Sequence, residues 1–236
     1  DNWKNHLTSF GLGNYLGYDL PVGSKCKIPS SKTYNAKYPN NNWYATATIS
    51  NAIGQGEVLL TPIQMANFTA AIANRGWWVR PHVIKKIQDH DTIAKGFKHK
   101  NKTSIDPKYF EPIIEGMHDV YRDGTASFLE IPDIEICGKT GTAENFKKIN
   151  GSVKQLTDHS VFVAFAPKDN PKIAIAVFVE NGYWGARWAG RIASLMIEKY
   201  IKGEITRTDM EAFVLNGSLE EEYNKPYAGK PFKINQ

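Results

Sequence analysis

The sequence lacks an apolar run that approaches the roughly 20 residues a helix needs to cross a bilayer, so it contains no candidate membrane-spanning helix. Cysteine is scarce as well: Cys26 and Cys137 lie far apart, outside any Cys-x-x-Cys pair and without a histidine at metal-ligand spacing. These absences argue against a structural zinc site and a disulfide framework. We expect two buried thiols, with a single disulfide as the alternative, and no metal or other cofactor.

The chain is mildly basic. The 29 basic and 24 acidic residues give a net charge of +5, and the basic ones are scattered rather than gathered in a stripe. Nucleic-acid binding therefore has no specific support. A mildly basic surface favours anionic partners, although solubility alone explains it as well. With 42% hydrophobic residues, the chain has the composition of an ordinary folded protein.

A Lys-Thr-Gly triplet lies inside a strand-like run that is bounded by turn signals, residues 134–144 (IEICGKTGTAE). A polar loop follows. Two hydrophobic segments, residues 158–167 (DHSVFVAFAP) and 172–180 (KIAIAVFVE), then come one after the other and are joined by the turn KDNP. Three strands in succession predict one antiparallel sheet that contains the triplet.

The segment before the triplet contains a helix with a clear beginning. Thr61 can cap the helix, Pro62 suits its first turn, and Gln64 completes a capping box. Gly76 is predicted to end it. The apolar side chains that recur every three or four residues, and that we expect to pack inward, are Met65, Phe68 and Ile72.

Two further helices are predicted. One begins at Asp106-Pro107, which again combines a cap with a proline in the first turn. Its buried positions are predicted to be Phe110, Ile113, Ile114, Met117 and Tyr121. The last helix ends at Gly203, and Lys199 should face water. Its apolar face is predicted to consist of Ile192, Leu195, Met196 and Tyr200.

The two ends of the chain differ in composition from its middle. Residues 1–45 hold many Gly, Pro, Asn and Tyr residues with little periodicity, which predicts an irregular, loop-rich segment. From residue 204 the sequence is polar, with three successive glutamates at 220–222, which predicts a solvated tail. We therefore expect one domain over residues 1–203 and a polar C-terminal tail over residues 204–236.

The order of these segments resembles the order in one protein family. The triplet is one of three signatures of penicillin-binding proteins and serine β-lactamases. Residues 53–76 (IGQGEVLLTPIQMANFTAAIANRG) and 123–126 (DGTA) precede it as they do in that family. From about Leu7 to Gly203, the chain resembles the later part of the transpeptidase domain of class B penicillin-binding proteins, in particular the cell-elongation type, penicillin-binding protein 2.

The resemblance implies an α/β (α+β) serine acyl-transferase fold, with an antiparallel sheet flanked by helices and incomplete at its N-terminal side. It implies a D,D-transpeptidase that cross-links peptidoglycan stem peptides through a serine acyl-enzyme and binds β-lactams. The implied partners are the D-Ala-D-Ala stem peptide, β-lactam antibiotics and a membrane glycan polymerase of the elongation machinery. The implied location is the periplasmic face of the bacterial cytoplasmic membrane.

Acyl transfer from a peptide needs a nucleophile, donors for the tetrahedral oxyanion and an anchor for the terminal carboxylate. Lys139 offers a fixed positive charge, and Thr140 and Thr142 offer hydroxyl donors. Gly138 and Gly141 have no side chain that would block a ligand. Strand alternation places Lys139 and Gly141 on one face and the two threonines on the other, so a ligand would bind along the strand edge.

The resemblance assigns roles to the same residues. Lys139, Thr140 and Gly141 match the family triplet one for one. The backbone N–H of Thr142 matches the position that supplies half of the oxyanion hole, and the hydroxyl of Thr142 would contact the carboxylate.

The family nucleophile, the serine of a Ser-x-x-Lys motif at the start of a buried helix, has no counterpart in that setting here. Residues 24–27 (SKCK) match the motif as letters, but Pro21, Gly23 and Pro29 argue against a helix start at Ser24. In the family, the nucleophile and a Ser-x-Asn or Ser-x-Asp triplet precede the segments found here. We therefore expect a C-terminal fragment without a nucleophile and without activity of its own.

Two other functions stay open. One is a penicillin-recognising sensor, or a non-catalytic relative that keeps the fold for binding alone. A sensor would acylate and remain acylated without forming cross-links. A serine β-lactamase is disfavoured because residues 53–76 and 158–167 resemble the high-molecular-weight synthases. Two smaller features also have two explanations each. Gly54 and Gly56 either shape a cleft wall or provide backbone angles that only glycine adopts easily, and His159 is either a polar contact near the sheet edge or structural.

Overall fold

A computed structural model describes residues 1–21, 23–38, 40, 43, 45–85 and 95–223, together with the backbone of residues 226–227 and 230–231. The chain forms two compact units, Asp1–Glu111 and Pro112–Gln236. Among the described residues, no helix combines the length with the apolar character that crossing a bilayer requires. The second unit contains the Lys-Thr-Gly triplet, so it is the unit that positions the candidate site.

Unit 1 is mainly helical. Its helices are α1 (Asn2–Ser9), α2 (Ser31–Lys37), α3 (Ala45–Ala52) and α4 (Pro62–Ala73), and a short ladder joins β1 (Trp77–Trp78) to β2 (Asn101–Lys102). The prediction that residues 1–45 are irregular is therefore wrong for α1 and α2. Helix α2 forms because Ser30 and Thr33 make a reciprocal capping box, a signal that the surrounding prolines and glycines obscured.

Helix α4 begins as predicted. The Thr61 side chain accepts from the Gln64 N–H, the Gln64 side chain accepts from the Thr61 N–H, and Pro62 occupies the first turn. After Ala73 the chain leaves the helix and reaches Gly76, whose φ of 106° suits glycine. The capping signals therefore fixed both ends of this helix to within a few residues.

The buried face of α4 is more polar than predicted. Ile72 is buried as expected, but Met65 and Phe68 are only half-buried. Asn67 is 5% exposed and donates from Nδ2 to the carbonyl of Phe10 at 3.0 Å. Because buried amides need partners, this face holds an irregular main-chain segment rather than an apolar core alone.

Unit 2 is built on one antiparallel sheet, as predicted. Its strands are β3 (Cys137–Ile149), β4 (Ser152–Ala166) and β5 (Ile173–Val179), in the order β3-β4-β5. Thr140 lies opposite Phe162, and Thr142 lies opposite Ser160. Phe162 and Ala164 are fully buried and belong to one apolar cluster. One face of the sheet therefore rests on the core, while β3 forms an outer edge within the described part of the chain.

The polar loop predicted after residue 144 is instead an extension of the β3–β4 hairpin. The two strands stay paired from Asn145 with Leu156 to Ile149 with Ser152, after a bulge between Ala143 and Asn145. Asn150 and Gly151 form the turn, with φ values of 49° and 81°. Such a pair of positive φ values is typical of the tight turns that asparagine-glycine sequences make.

Helix α5 (Phe110–Arg122) follows a single 3₁₀ turn, Pro107–Tyr109, which the Asp106 side chain caps. The sequence therefore identified its beginning correctly. Ile113 was predicted to be buried, but it is 53% exposed. The four other predicted positions are buried, and they are Phe110, Ile114, Met117 and Tyr121.

Helix α6 (Arg191–Lys202) ends at Gly203 in the left-handed conformation, as predicted, and Lys199 is exposed. The predicted apolar face is partly wrong, because Met196 is 53% and Tyr200 64% exposed. The residues that are buried instead are Ala193, Ser194, Ile197 and Glu198, together with the predicted Leu195. Small and polar side chains form much of this face, so a search for large apolar residues missed it.

The segment after residue 203 is not a solvated tail throughout. It contains α7 (Thr208–Asn216) and α8 (Glu220–Tyr223), and a short ladder joins β6 (Pro226–Tyr227) to β7 (Lys230–Pro231). Glu222, predicted to be in water, is 1% exposed. It is buried because Arg187 and Trp188 provide its hydrogen bonds. The rest of the predicted tail, residues 224–225, 228–229 and 232–236, lies outside the described residues.

Candidate active site

The triplet strand enters the site from the core. Gly138 is buried, and a Cβ placed on it would lie 2.8 Å from Cε2 of Tyr121 and 3.0 Å from Cζ of Phe162. The first distance is shorter than real Cβ contacts and the second is unusually tight, so glycine here allows two aromatic rings to pack against the strand. The prediction that Gly138 leaves room for a ligand is therefore corrected: its missing side chain serves the core.

The next four residues alternate as strand geometry requires. Thr140 and Thr142 face a cavity of about 540 Å³, whereas Lys139 and Gly141 do not line it. Lys139 is exposed, and its Nζ donates to the carbonyl of Thr140 at 2.9 Å. The structure thus brings the two predicted threonines together in one cavity and places the predicted lysine on the other face of the same strand.

The cavity lies entirely within unit 2. The residues that line it are Thr125, Phe128, Thr140, Thr142, Trp184, Gly185, Ala186, Arg187 and Arg191. The Thr125 and Thr140 hydroxyl oxygens are 3.1 Å apart, so the segment after α5 is tied to the triplet strand by a hydrogen bond. The sequence singled out residues 123–126 as part of an ordered pattern, but it gave Thr125 no role.

The segment after β5 lies directly against the triplet strand. A Cβ on Gly185 would be 2.2 Å from the carbonyl oxygen of Gly141 and 2.7 Å from that of Val161. The Ser160 hydroxyl donates to the carbonyl of Trp184 at 2.8 Å and accepts from the N–H of Ala189 at 3.1 Å. Because Ser160 is fully buried, these bonds hold the segment firmly on the sheet.

One aromatic residue that lines the cavity, Trp184, stacks on its neighbour Tyr183. Tyr183 and Trp184 stack with ring centroids 5.2 Å apart, and Trp184 is 63% exposed. Tyr183 has a φ of 68°, which is uncommon for an aromatic residue, and its N–H donates to the carbonyl of Asp158 at 2.9 Å. A strained conformation beside a cavity is typical of functional sites. Sequence reasoning missed Trp184 because no motif marks it.

The cavity also contains two arginines that the sequence did not single out. Arg187 forms an ion pair with the buried Glu222. The Arg191 guanidinium lies 4.8 Å from the ring centroid of Phe128 and 4.4 Å from that of Phe213. Burial lowers the pKa of Arg191, and the neighbouring charge of Arg187 lowers it further. The cavity wall is therefore electropositive.

Comparison with known proteins decides the family. A family model described as the penicillin binding protein transpeptidase domain matches residues 1–198. The chain belongs to this transpeptidase family. The peptidoglycan D,D-transpeptidase MrdA of Acinetobacter baumannii is 36% identical over 200 residues, which are 78% of this chain and 29% of that protein. This chain spans about a third of the length of the curated relatives that it matches, with 29%, 34% and 35% for three of them.

Solved structures confirm the fold of this transpeptidase chain. Pseudomonas aeruginosa PBP2 in complex with WCK 5153 matches with a TM-score of 0.69 at 30% identity, over 86% of this chain and 44% of that chain. Penicillin-binding protein A from Mycobacterium tuberculosis, solved as an imipenem acyl-enzyme complex, gives a TM-score of 0.65 at 27% identity over 84% and 41%. The resemblance drawn from the sequence is therefore confirmed, as is the expected class of fold.

Ser24, which has the letters of the family nucleophile, lies in an irregular, exposed segment of the transpeptidase chain. Its Oγ accepts from the N–H of Cys26 at 3.1 Å, and Lys27 pairs with Glu57 at 3.2 Å. The lysine of a nucleophilic pair should act on the serine rather than on a surface carboxylate. The local structure therefore gives Ser24 none of the features of an activated serine.

Three smaller predictions have clear outcomes. Gly54 and Gly56 have φ values of 79° and 70°, which accounts for both glycines by backbone angle. His159 accepts from the Asn181 N–H at 3.1 Å, so its role in the structure is to hold a turn. Cys137 is buried as expected, whereas Cys26 is only partly buried. Cys26 has a φ of 59°.

Proposed function

We propose that this chain supplies the ligand-binding strand of a D,D-transpeptidase that cross-links peptidoglycan stem peptides through a serine acyl-enzyme and is acylated by β-lactams. The observation that carries the proposal is the pair of threonine hydroxyls, Thr140 and Thr142, that face a cavity of about 540 Å³ beside an outer strand of the sheet. Hydroxyl donors and a strand edge suit an extended peptide with a terminal carboxylate.

Each residue of the triplet has a proposed role in this reaction. The Thr140 and Thr142 hydroxyls bind the terminal carboxylate of the donor peptide, and the backbone N–H of Thr142 donates to the oxyanion. Gly141 lets the ligand approach the strand closely. Lys139 contributes a positive charge that favours the anionic ligand and proton transfer among neighbouring hydroxyls.

The nucleophile is proposed to lie in the whole protein but outside this chain, because Ser24 is exposed and does not lie at the start of a helix. The imipenem acyl-enzyme of the Mycobacterium tuberculosis relative supports acylation as the shared chemistry. We further propose that residues 1–203 are part of the transpeptidase domain. The whole protein is proposed to act at the periplasmic face of the cytoplasmic membrane, with a glycan polymerase as its partner. The relative from Acinetobacter baumannii is named as a peptidoglycan enzyme, which supports this location.

The proposal is tested in the whole protein with a D-Ala-D-Ala donor peptide and an amine acceptor. Lys139→Ala should lower the rate of cross-linking at least about 100-fold, because it removes the charge proposed to assist proton transfer. Lys199→Ala is the matched control, since Lys199 is exposed on α6 and does not line the cavity. Normal cross-linking by Lys139→Ala would refute the assignment.

The same assay separates the other functions. A protein that is acylated by penicillin but forms no cross-links would be a sensor. A protein that rapidly hydrolyses penicillin would be a β-lactamase. Either outcome in the unmodified protein would contradict the proposed transpeptidase activity.

A further inference from the structure

The cavity wall formed by residues 184–191 carries charge that the proposed function does not use. Arg187 and Arg191 both line the cavity, one turn apart on the same segment. A wall with two guanidinium groups costs free energy through mutual repulsion unless other charges compensate them. The neighbours of each arginine therefore show whether its charge is already paired within the protein or can bind a ligand.

The charge of Arg187 is already compensated. Its Nε donates to Oε1 of Glu222, a carboxylate with no exposed side-chain surface. The Trp188 indole also donates to that oxygen at 2.8 Å. A buried carboxylate held by two donors stays with its partner, because its release would leave an uncompensated buried charge. Arg187 is thus an element of the wall rather than a binding group.

Arg191 is influenced by the charge of Glu222 but forms no ion pair of its own among the described residues. The rings of Phe128 and Phe213 lie within 5 Å of its guanidinium, at 4.8 and 4.4 Å. One of its nitrogens, Nη1, donates to the carbonyl of Arg187 at 2.6 Å. Among the described residues, no carboxylate lies within ion-pair distance of Arg191. Ring contacts hold the guanidinium, while most of its five N–H groups can still donate.

We propose that Arg191 binds a second carboxylate of the ligand, separate from the terminal carboxylate that Thr140 and Thr142 bind. This inference rests on the proposed function, since it places both carboxylates in the same cavity. The ligand class is a peptide, or a β-lactam side chain, with an additional carboxylate. A restrained guanidinium can form two parallel hydrogen bonds to a carboxylate, which gives both affinity and orientation.

The alternative role of Arg191 is purely structural, as a cation that packs between two aromatic rings. The two roles differ in what they predict for paired ligands. A structural arginine would affect every ligand to a similar extent when it is replaced. A binding arginine would affect ligands that carry the second carboxylate more than ligands that lack it.

Benzylpenicillin and carbenicillin provide the matched pair, because carbenicillin differs by one carboxylate on the side chain. The acylation rate constants of both are measured on the whole protein, and their ratio is compared between variants. Arg191→Gln should lower the carbenicillin-to-benzylpenicillin ratio about tenfold or more, as expected for a lost hydrogen bond between charged groups. Arg191→Lys keeps the positive charge but loses the planar guanidinium with its parallel N–H donors, so it should lower the ratio less. Lys199→Gln, on the exposed side of α6, should leave the ratio unchanged.

An unchanged ratio in a folded Arg191→Gln protein would overturn the inference and leave the proposed function intact. If neither penicillin acylates the unmodified protein, the proposed function itself fails. Should Arg191→Gln fail to fold, Arg191→Lys is measured instead, because it keeps the positive charge but loses the two parallel donors. An unchanged ratio in a folded Arg191→Lys protein would then overturn the inference.

Discussion

The two halves of strand β3 have the same backbone ladder but different surroundings. Cys137 and Gly138 are buried, and the following threonines face a cavity that neighbouring segments enclose. Beyond the bulge, Phe146 is 55% exposed and Lys147 and Lys148 are in water. Hydrogen bonding to β4 continues through both halves. The ladder alone therefore does not make a site; the core packed against one face of the sheet holds the inner half in position.

The largest expected effect comes from replacing a phenylalanine in the inner half of the β3–β4 hairpin and comparing it with one in the outer half. Phe162 is 0% exposed and packs edge-on against Tyr121 at 6.0 Å, so Phe162→Ala should lower the free energy of unfolding by about 3–5 kcal/mol. Phe146→Ala should change it by less than about 1 kcal/mol, because that ring is largely in water. Both values follow from urea unfolding of the chain. Similar losses for the two variants would break the comparison.

A second test addresses the tight contact between Gly185 and the backbone of the sheet. Gly185→Ala should lower the free energy of unfolding by about 2–3 kcal/mol, because the new methyl group would meet the backbone of β3. Gly116→Ala is the control: apart from the backbone of α5 and the two adjacent residues, nothing lies within 4 Å of its Cβ position, so it should stabilise the chain by about 0.5–1 kcal/mol. A neutral Gly185→Ala would mean that the segment after β5 does not rest on the strand.

A third test concerns a buried polar contact in unit 2, for comparison with the exposed half of β3. Glu198 has no exposed side-chain surface and accepts from Thr206 Oγ1 at 2.6 Å and Arg207 Nε at 2.9 Å. Burial raises the pKa of Glu198, but these hydrogen bonds outweigh it and hold the pKa below the usual value. Glu198→Gln should therefore cost about 2 kcal/mol of unfolding free energy at pH 7.

The pH dependence of this contact has a definite sign. Because the pKa of Glu198 is lower in the folded state, its stabilisation is complete above the unfolded pKa of about 4.3 and is lost as pH falls through the folded pKa. The stability difference between the unmodified chain and Glu198→Gln should shrink below about pH 4.3. A difference that stays constant down to pH 3 would contradict the assigned role.

The smallest effect is predicted for the exposed half of β3. Lys147 lies directly opposite Lys154 in the ladder, and like charges in that position destabilise a sheet. Lys147→Glu should raise the free energy of unfolding by about 0.5 kcal/mol at low salt, and less at high salt. Thermal unfolding at two salt concentrations would measure it. A loss of stability at low salt would mean that the two lysines do not face each other in solution.

The sequence was sufficient where a local signal and the fold agree. Thr61, Pro62 and Gln64 define the start of α4 by hydrogen bonds within four residues, so no tertiary information is needed. The triplet strand and its two neighbours were also recognised, because long apolar runs separated by turn residues have few alternatives. These segments carry most of the family resemblance.

The sequence was insufficient where contacts with distant parts of the chain decide whether a residue is buried or lines the cavity. The Asn150-Gly151 pair is a strong hairpin signal, but polar residues on both sides made the hairpin look like a loop. The burial of Glu222 depends on Arg187 and Trp188, more than 30 residues away. Arg191 and Trp184 belong to no motif, and only the folded chain places them in the cavity beside Thr140.

The most direct test of the account is the intact mass of this chain, shown to be folded by circular dichroism, after incubation with a reactive penicillin. The account holds that the chain provides the ligand-binding strand and that the nucleophile lies elsewhere in the whole protein. It predicts an unchanged mass for the chain and a single penicilloyl adduct on the whole protein. A stoichiometric adduct on the isolated chain, at Ser24 or another serine, would contradict it.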